Sequence, residues 1–180
     1  MRALRDAIGG AGRAAADAAI AARLEELVAR IGPDCIACYW PIGGEPDLRA
    51  SVARWRAAGI DTALPRVAAP AAALVFDRWA PGDALVAGPF GTAHPARPDP
   101  VRPGLLVIPC LGFEAGGHRL GYGGGYYDRT LAASAPRTVG VSYDVLEVTG
   151  FEAQPHDRPL DFIVTESRVL PAAPAAPARD

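Results

Sequence analysis

The spacing of hydrophobic positions along the chain alternates between a helical and a strand-like pattern. A helix is predicted over 12–31, where apolar residues recur every three to four positions and Gly32-Pro33 ends the segment. A second helix is predicted from Pro46 to Gly59, and the segment YYDRTLAAS has the composition of a helix start. Strands are predicted in six short segments: Cys35–Trp40, Thr62–Leu64, Leu74–Trp79, Leu105–Ile108, Thr138–Ser142 and Phe162–Thr165.

The order of these elements predicts the fold class. Helices and strands alternate, and the continuous apolar run LLVI at Leu105–Ile108 is typical of a strand buried on both faces of a parallel sheet. We therefore expect an α/β fold with three layers, α/β/α, around a mainly parallel, Rossmann-like sheet. The segment 80–103 is rich in proline and glycine and is predicted to be a long loop. A single domain is expected over 1–170, with a disordered low-complexity tail over 171–180.

Composition restricts the function classes. The chain has 180 residues, half of them hydrophobic, and a net charge of −2, so we expect no nucleic-acid partner, which would require a strongly basic face. No apolar run approaches the roughly 18 residues of a membrane-spanning helix, so no membrane partner is expected. All eighteen basic residues are arginine, which stays charged and can bind phosphate or carboxylate through two parallel hydrogen bonds.

The three cysteines favour a reducing compartment. Their number is odd and we see no secretory leader, so we expect a cytoplasmic protein. Cys35 and Cys38 form one C-x-x-C in a strand-like segment without a second ligand pair. Core packing is the favoured interpretation, and zinc binding or redox chemistry stays the alternative.

The stretch RLGYGGGYYDR, residues 119–129, has the most pronounced chemical pattern of the chain. Four glycines precede a predicted helix, and backbone N–H groups at a helix start suit a phosphate. Arg119 could clamp an outer phosphate, and Asp128 could hold Mg²⁺, which prefers a few carboxylates plus phosphate oxygens. A surface turn without function is the alternative.

Two familiar glycine patterns do not apply to this stretch. A P-loop requires a lysine after its last glycine, and the chain has none. The dinucleotide fingerprint that starts at Gly121 and Gly123 requires glycine at position 126, where Tyr126 stands.

The segment PCLGFEAGGHRLGYGGGYYDRTL, residues 109–131, resembles the glycine loop of the 5-formyltetrahydrofolate cyclo-ligase family, also called 5,10-methenyltetrahydrofolate synthetases. Three weaker matches appear in the order in which the family has them: YWPIGGEPD (39–47), LVFDRWAPGDAL (74–85) and HDRPLDFIVTE (156–166). Together the matches extend the resemblance over roughly residues 1 to 170.

The resemblance implies an activity. Family members use ATP and Mg²⁺ to close 5-formyltetrahydrofolate into 5,10-methenyltetrahydrofolate, with release of ADP and phosphate. The formyl oxygen attacks the γ-phosphorus, N10 of the folate traps the resulting iminium phosphate, and phosphate leaves. The implied partners are therefore two small molecules, and we expect a monomer.

The resemblance also implies site residues. Arg119, Tyr126 and Asp128 are the expected catalytic residues, and Asp128 and Asp161 the expected Mg²⁺ ligands. The expected ATP-binding residues are Arg2, Arg5, Arg119, Leu120, Gly121, Tyr122, Gly123, Gly124, Gly125, Tyr126 and Tyr127. The expected folate-binding residues are Trp40, Glu45, Tyr122, Gly123, Gly124, Gly125 and Tyr126. Trp40 could equally belong to the core, Glu45 could be a charged turn residue, and Asp161 could be an ordinary surface carboxylate.

Three features depart from the family pattern. Met1 stands where the family's N-terminal lysine is expected, so Arg2, the amino terminus or an upstream residue must replace it. His94, in GTAHP, stands where a carboxylate is common, and we interpret it as a solvated loop residue. His156 is interpreted as a structural residue or as one that supports neighbouring site residues. A non-catalytic folate or nucleotide binder and a different enzyme of the same architecture, such as a sugar-phosphate isomerase or an acyl transferase, are the alternative functions.

Overall fold

The protein is described by a computed structural model over residues 1–150 and 158–172. The interpretation of His156 and the predicted tail from 173 onward concern residues outside these ranges. Four α-helices are described: α1 Arg2–Asp6, α2 Gly10–Ile31, α3 Arg49–Ala57 and α4 Tyr126–Ala133. The strands are β1 Cys35–Ala37, β2 Asp61–Val67, β3 Leu74–Arg78, β4 Leu85–Ala87, β5 Ala93–Pro95, β6 Pro100–Val101, β7 Leu105–Pro109, β8 Gly112–Phe113, β9 Arg119–Leu120, β10 Arg137–Val141, β11 Phe162–Val164 and β12 Val169–Pro171.

An eight-stranded sheet forms the middle of the molecule, in the order β12-β11-β10-β7-β1-β2-β3-β6. The five strands from β11 to β2 are parallel to one another, and the remaining pairs are antiparallel. The expectation of a mainly parallel α/β sheet is therefore confirmed.

Both faces of the sheet are covered, which explains the continuous apolar run of β7. Leu105 and Val107 pack with α2 and α3, whereas Leu106 and Ile108 pack with Leu131 of α4 on the opposite face. Successive side chains of a strand point to opposite faces, so LLVI supplies two hydrophobic cores at once. The result is the expected three-layer arrangement.

The long helix α2 agrees with the helical spacing in the sequence. Its buried residues are Ile20, Ala21, Leu24, Leu27 and Val28. The helix ends at Gly32, whose left-handed φ of 64° suits glycine, and the Gly32 N–H donates to the Val28 carbonyl.

Two expectations about elements were wrong in detail. Helix α3 begins at Arg49 rather than Pro46, because the Asp47 carboxylate accepts the Arg49 N–H and the Pro46 carbonyl accepts the Tyr39 hydroxyl. The expected loop over 80–103 contains β4, β5 and β6, with a 3₁₀ turn at Pro89–Gly91. Strands of two or three residues leave no readable alternation in a segment rich in proline and glycine.

The two ends of the chain also differ from expectation. The short helix α1 was not predicted, since five residues show little periodicity. The tail was expected to begin at residue 171, but Pro171 is the last residue of β12 and pairs with Phe162.

The cysteines lie in the hydrophobic cores, as expected. All three are free, and Cys38 and Cys110 are buried. Burial raises the pKa of both thiols to about 12.

Among the residues that the structure describes, no group of three or more His, Cys, Asp and Glu side chains could hold a metal ion. No helix in the described ranges combines the length and hydrophobicity that crossing a membrane requires.

Candidate active site at the carboxyl ends of the parallel strands

The glycine loop, residues 121–125, leads directly into α4. Gly123 and Gly125 adopt left-handed φ values of 82° and 63°, which glycine tolerates at no steric cost, and Gly125 is the residue that precedes the helix. Asp128 lies in the first turn of α4, where a carboxylate interacts favourably with the helix dipole. The predicted helix start is therefore confirmed.

Arg119 and Asp128 form an ion pair with each other. A terminal nitrogen of Arg119 bonds the Asp128 carboxylate, and its other terminal nitrogen donates to the Arg158 carbonyl at 3.2 Å. The Arg119 side chain is 6% exposed, whereas that of Asp128 is 32% exposed. The structure thus brings these two candidates together at the mouth of the loop.

Glu45 is a buried carboxylate in the loop that follows β1. It is 5% exposed, and its Oε2 accepts the Ile42 N–H at 3.0 Å. Burial raises the pKa of Glu45 above its usual 4.5, although hydrogen bonds from Ile42 and Tyr122 and the charge of Arg5 partly oppose the shift. A charged residue of an ordinary turn would lie in solvent, whereas the Glu45 carboxylate is buried against the protein. The folate contact of Glu45 stays a prediction.

Tyr122 joins Glu45 to the N-terminal helix. The Tyr122 hydroxyl donates to Glu45 Oε1 at 3.0 Å and accepts from Arg5 Nη2 at 2.7 Å. Arg5 is 2% exposed, and its Nε and Nη1 have no hydrogen-bond partner among the described residues. Three residues that are far apart in sequence therefore meet at one hydroxyl group.

Arg2 lies beside the same tyrosine. Its guanidinium carbon is 5.2 Å from the centroid of the Tyr122 ring, within reach of a cation–π contact. Met1 faces a different neighbour, since its sulfur lies 3.3 Å from where a Cβ on Gly112 would stand. Of the replacements considered for the missing lysine, Arg2 is thus the one whose side chain lies beside the glycine loop.

Tyr126 and Tyr127 open α4. The Tyr126 ring lies 5.0 Å from the Arg129 guanidinium carbon and 6.2 Å from the Phe90 ring, centroid to centroid. Tyr127 packs against the core beneath α4, and burial raises its pKa. The two tyrosines therefore face different surroundings, the loop and the core.

Trp40 packs against protein side chains. Its ring meets that of Trp79 edge-on with centroids 6.1 Å apart, and the Arg49 guanidinium carbon lies 5.3 Å from its centroid. These contacts agree with a core position at the rim of the site, and the folate contact of Trp40 stays a prediction.

Asp161 precedes β11 and bonds the start of β10. Its Oδ2 accepts the Thr138 N–H at 2.7 Å and the Thr138 hydroxyl at 3.0 Å. Arg158, three residues before Asp161, offers its carbonyl to Arg119, the ion-pair partner of Asp128. The metal role of Asp161 stays a prediction.

Several residues that support the site were missed in the sequence. Arg129 donates to the Gly124 carbonyl at 2.7 Å and to the Ala72 carbonyl at 3.3 Å, and so anchors the glycine loop. Arg13 donates to the Arg5 carbonyl at 2.7 Å. The only signal for Arg129 was its place beside the glycines, and Arg13 carried no signal.

A β-hairpin of β4 and β5 reaches the glycine loop through Phe90. Phe90 is 73% exposed and adopts a left-handed φ of 62°, which is strained for an aromatic residue. His94 lies in β5, opposite Val86, with Nδ1 3.1 Å from the Pro95 carbonyl oxygen. The expectation of a loop histidine is corrected to a half-buried strand residue.

Comparison with known proteins agrees with this geometry. The model of the 5-formyltetrahydrofolate cyclo-ligase family matches residues 1–166. The chain belongs to this family. A 5-formyltetrahydrofolate cyclo-ligase from Mycolicibacterium smegmatis is 31% identical over 156 aligned positions, and the match covers 79% of this chain and 79% of that protein.

Solved structures show the same fold as this cyclo-ligase family member. The NMR structure of 5,10-methenyltetrahydrofolate synthetase from Aquifex aeolicus has a TM-score of 0.75 and 27% identity, with 91% of this chain and 84% of that chain covered. A 5,10-methenyltetrahydrofolate synthetase from Mycoplasma pneumoniae has a TM-score of 0.74 at 23% identity, with 90% and 92% covered, and supports the fold alone.

Proposed function

We propose that this chain closes 5-formyltetrahydrofolate into 5,10-methenyltetrahydrofolate at the expense of ATP. One observation carries the proposal beyond family membership. The Tyr122 hydroxyl joins a phosphate-type glycine loop to the buried carboxylate of Glu45, so that groups suited to a nucleotide and to a pterin lie side by side. Such a site can bring a γ-phosphate to a formyl oxygen.

The nucleotide half of the site is proposed from the loop and its cations. The start of α4 offers free backbone N–H groups to phosphate oxygens. Arg5 offers two buried nitrogens that have no hydrogen-bond partner among the described residues, and Arg119 can exchange its bond to Asp128 for one to a phosphate. The other ATP contacts, Leu120 to Tyr127 and Arg2, are proposed from the family match alone.

Mg²⁺ is proposed to bind through Asp128. This ion keeps several waters and takes one or two carboxylates together with phosphate oxygens, which a single half-exposed carboxylate beside a phosphate loop fits. When bound, the ion neutralises charge that develops on the phosphates. Asp161 is proposed as the second carboxylate from the family match alone, and its Oδ2 accepts two hydrogen bonds from Thr138.

The folate half of the site is proposed around Glu45. A carboxylate can accept two N–H groups from the aminopyrimidinone of a pterin. The low exposure of Glu45 strengthens such bonds, because buried charge-assisted hydrogen bonds compete with little water. Trp40 and Tyr126 are proposed to border the folate.

The chemistry needs alignment and charge neutralisation more than acid–base catalysis. The formyl oxygen forms a bond to the γ-phosphorus while the bond from that phosphorus to the β-bridging oxygen breaks, which releases ADP. N10 then attacks the activated formyl carbon and loses its proton, and the former formyl oxygen leaves with phosphate. Arg119 and Arg5 can neutralise the phosphates, and the loop holds the two substrates in line.

A turnover assay tests the proposal. Folded protein with 5-formyltetrahydrofolate, ATP and Mg²⁺ should produce the absorbance of the methenyl product, together with one ADP per product. A non-catalytic binder would instead gain thermal stability from the two compounds without turnover. Folded protein that gives no product under these conditions would overturn the proposal.

The partners, the oligomeric state and the cellular compartment of the protein are also proposed. Its partners are two small molecules, and we expect the chain to act as a monomer in the cytoplasm, with no nucleic-acid or membrane partner. Size-exclusion chromatography with light scattering checks the monomer.

A further inference from the structure

The hydroxyl of Tyr122 has two partners, and each belongs to a different substrate in the proposed function. Arg5 Nη2 donates to it at 2.7 Å, and it donates to Glu45 Oε1 at 3.0 Å. The arginine belongs to the nucleotide half of the site and the glutamate to the folate half. One phenol therefore connects the two halves.

Both partners are buried, whereas Tyr122 is exposed. Arg5 is 2% exposed and Glu45 5% exposed, compared with 42% for Tyr122. The Tyr122 ring also lies over Arg5, with the guanidinium carbon 5.7 Å from the ring centroid. Of the three residues, Tyr122 is thus the one through which solvent and ligands gain access.

The backbone around Tyr122 allows the side chain to move. Gly121 and Gly123 flank it, and a Cβ at either position would meet no atom within 4 Å, so the segment lies in open space. Displacing the side chain requires the two hydrogen bonds and the ring contacts to break, and no buried group has to be repacked. Arg13, which holds the Arg5 carbonyl, keeps Arg5 in place when Tyr122 leaves.

We propose that Tyr122 is a positioning residue that couples the two substrates: its hydroxyl latches Arg5 Nη2 to Glu45 Oε1, and the latch must open before a nucleotide phosphate can take Arg5 Nη2 or a pterin can take Glu45 Oε1. The inference rests on the proposed function. It concerns the phenol of this chain and adds a thermodynamic link between the two halves of the site.

The consequence is positive coupling between ATP and folate. The substrate that binds first bears the cost of opening the latch, and the second binds to an open site at no such cost. Linkage requires each substrate to raise the affinity for the other by the same factor. Without the hydroxyl, the first substrate binds more tightly and the coupling disappears.

Calorimetric titration of 5-formyltetrahydrofolate tests the latch, with and without a saturating β,γ-imido analogue of ATP plus Mg²⁺. For the wild type we expect the analogue to lower the folate Kd about tenfold, in the usual range for coupled sites. For Tyr122→Phe we expect the folate Kd without analogue to fall about tenfold, the Kd with analogue to stay unchanged, and their ratio to approach one. The phenylalanine retains the ring contacts with Arg2 and Arg5.

Tyr143→Phe is the matched control, because Tyr143 also donates its hydroxyl to a carboxylate, that of Asp17 at 2.6 Å, with no bond to Arg5. This variant should keep the tenfold ratio. A wild-type ratio of one overturns the coupling, and so does a Tyr122→Phe variant that binds folate more weakly under both conditions with the ratio retained, since that pattern describes a direct ligand contact.

The outcomes for the two proposals are separable. If the two folate Kd values are equal in a protein that makes the methenyl product, the latch is contradicted and the proposed function stands. If the folate Kd values differ tenfold in a protein that binds both compounds without making product, the proposed function is contradicted and the latch stands.

Discussion

Glu45 and Glu25 are two carboxylates with opposite electrostatic surroundings. Burial raises the pKa of Glu45 above 4.5. Burial also raises the pKa of Glu25, but hydrogen bonds from Arg54 and Ser51 outweigh it, and the result lies below 4.5. A carboxyl group with a raised pKa stabilises the fold below pH 4.5 and loses this contribution as the pH rises through its folded pKa. A carboxyl group with a lowered pKa stabilises the fold above pH 4.5 and loses this contribution as the pH falls through its folded pKa.

Replacement of each glutamate by glutamine should therefore change stability in opposite directions. At pH 7 we expect Glu45→Gln to raise the thermal midpoint and Glu25→Gln to lower it, as measured by calorimetry. Glu45→Gln should also raise the folate KM about tenfold or more, because an amide presents N–H groups to the pterin donors. A Glu45→Gln variant that is less stable at pH 7 would contradict the burial argument.

Asp128 is the carboxylate proposed to bind Mg²⁺ beside the glycine loop. We expect Asp128→Asn to lower kcat/KM about a hundredfold or more and to raise the Mg²⁺ concentration needed for half-maximal rate. The folate Kd should stay within about twofold, since Asp128 bonds Arg119 and no residue of the folate half.

The same Mg²⁺ titration on Asp161→Asn supplies the comparison. Because Asp161 Oδ2 accepts two hydrogen bonds from Thr138, we expect a lower thermal midpoint and a smaller rise in the Mg²⁺ requirement than Asp128→Asn causes. An unchanged Mg²⁺ requirement in Asp161→Asn would remove Asp161 from the metal site.

At the scale of elements, the glycine loop depends on α4 for its shape. Arg129 reaches back from the first turns of α4 to the Gly124 carbonyl and across to Ala72. Thr130, one residue later, accepts the Leu74 N–H at 2.9 Å and donates to the Tyr126 carbonyl at 2.8 Å. A loop of glycines has little stiffness of its own, so these bonds restrict it.

Arg129→Met should release the loop while keeping most of the apolar stem. We expect the KM for ATP to rise about tenfold, because the loop must be ordered when the nucleotide binds, with a smaller change in the folate Kd. Arg23→Met is the control, since the Arg23 guanidinium donates to the Ala19 carbonyl of its own helix, remote from the loop. Equal effects of both variants on the KM for ATP would argue against an anchor.

At the scale of the whole molecule, sequence reasoning succeeded where the signal is local. The start of α4 at Tyr126, the doubly buried β7 and the end of α2 at Gly32 each follow from a few neighbouring residues. The short strands β4, β5 and β6 were missed because two or three residues carry no period.

The meeting of Arg5, Tyr122 and Glu45 could not be read from the sequence. Their separations are 117 and 77 residues, and only the order of the strands brings them together. The resemblance named all three residues as binding residues, but it did not show that one hydroxyl joins the other two.

Gly140 lies where the central sheet is tightly packed beneath the site. A Cβ on Gly140 of β10 would stand 2.6 Å from Ile163 Cδ1, 2.7 Å from Leu160 Cδ1 and 2.9 Å from Cys110 Sγ. These three neighbours are buried on the α4 side of the sheet, so they have little space into which to move. Overpacking of a core costs about 1–3 kcal/mol.

We therefore expect Gly140→Ala to lower the free energy of unfolding in urea by about 1–3 kcal/mol. Gly104→Ala is the matched control, because the nearest atom to its Cβ, the Cys35 carbonyl oxygen, lies 4.0 Å away, and its change should stay within about 0.5 kcal/mol. The KM values of folded Gly140→Ala should stay near those of the wild type, since the strained contacts lie beneath the loop and not within it. Equal stability of the two variants would show that the core between β10 and β11 is less tightly packed than the structure indicates.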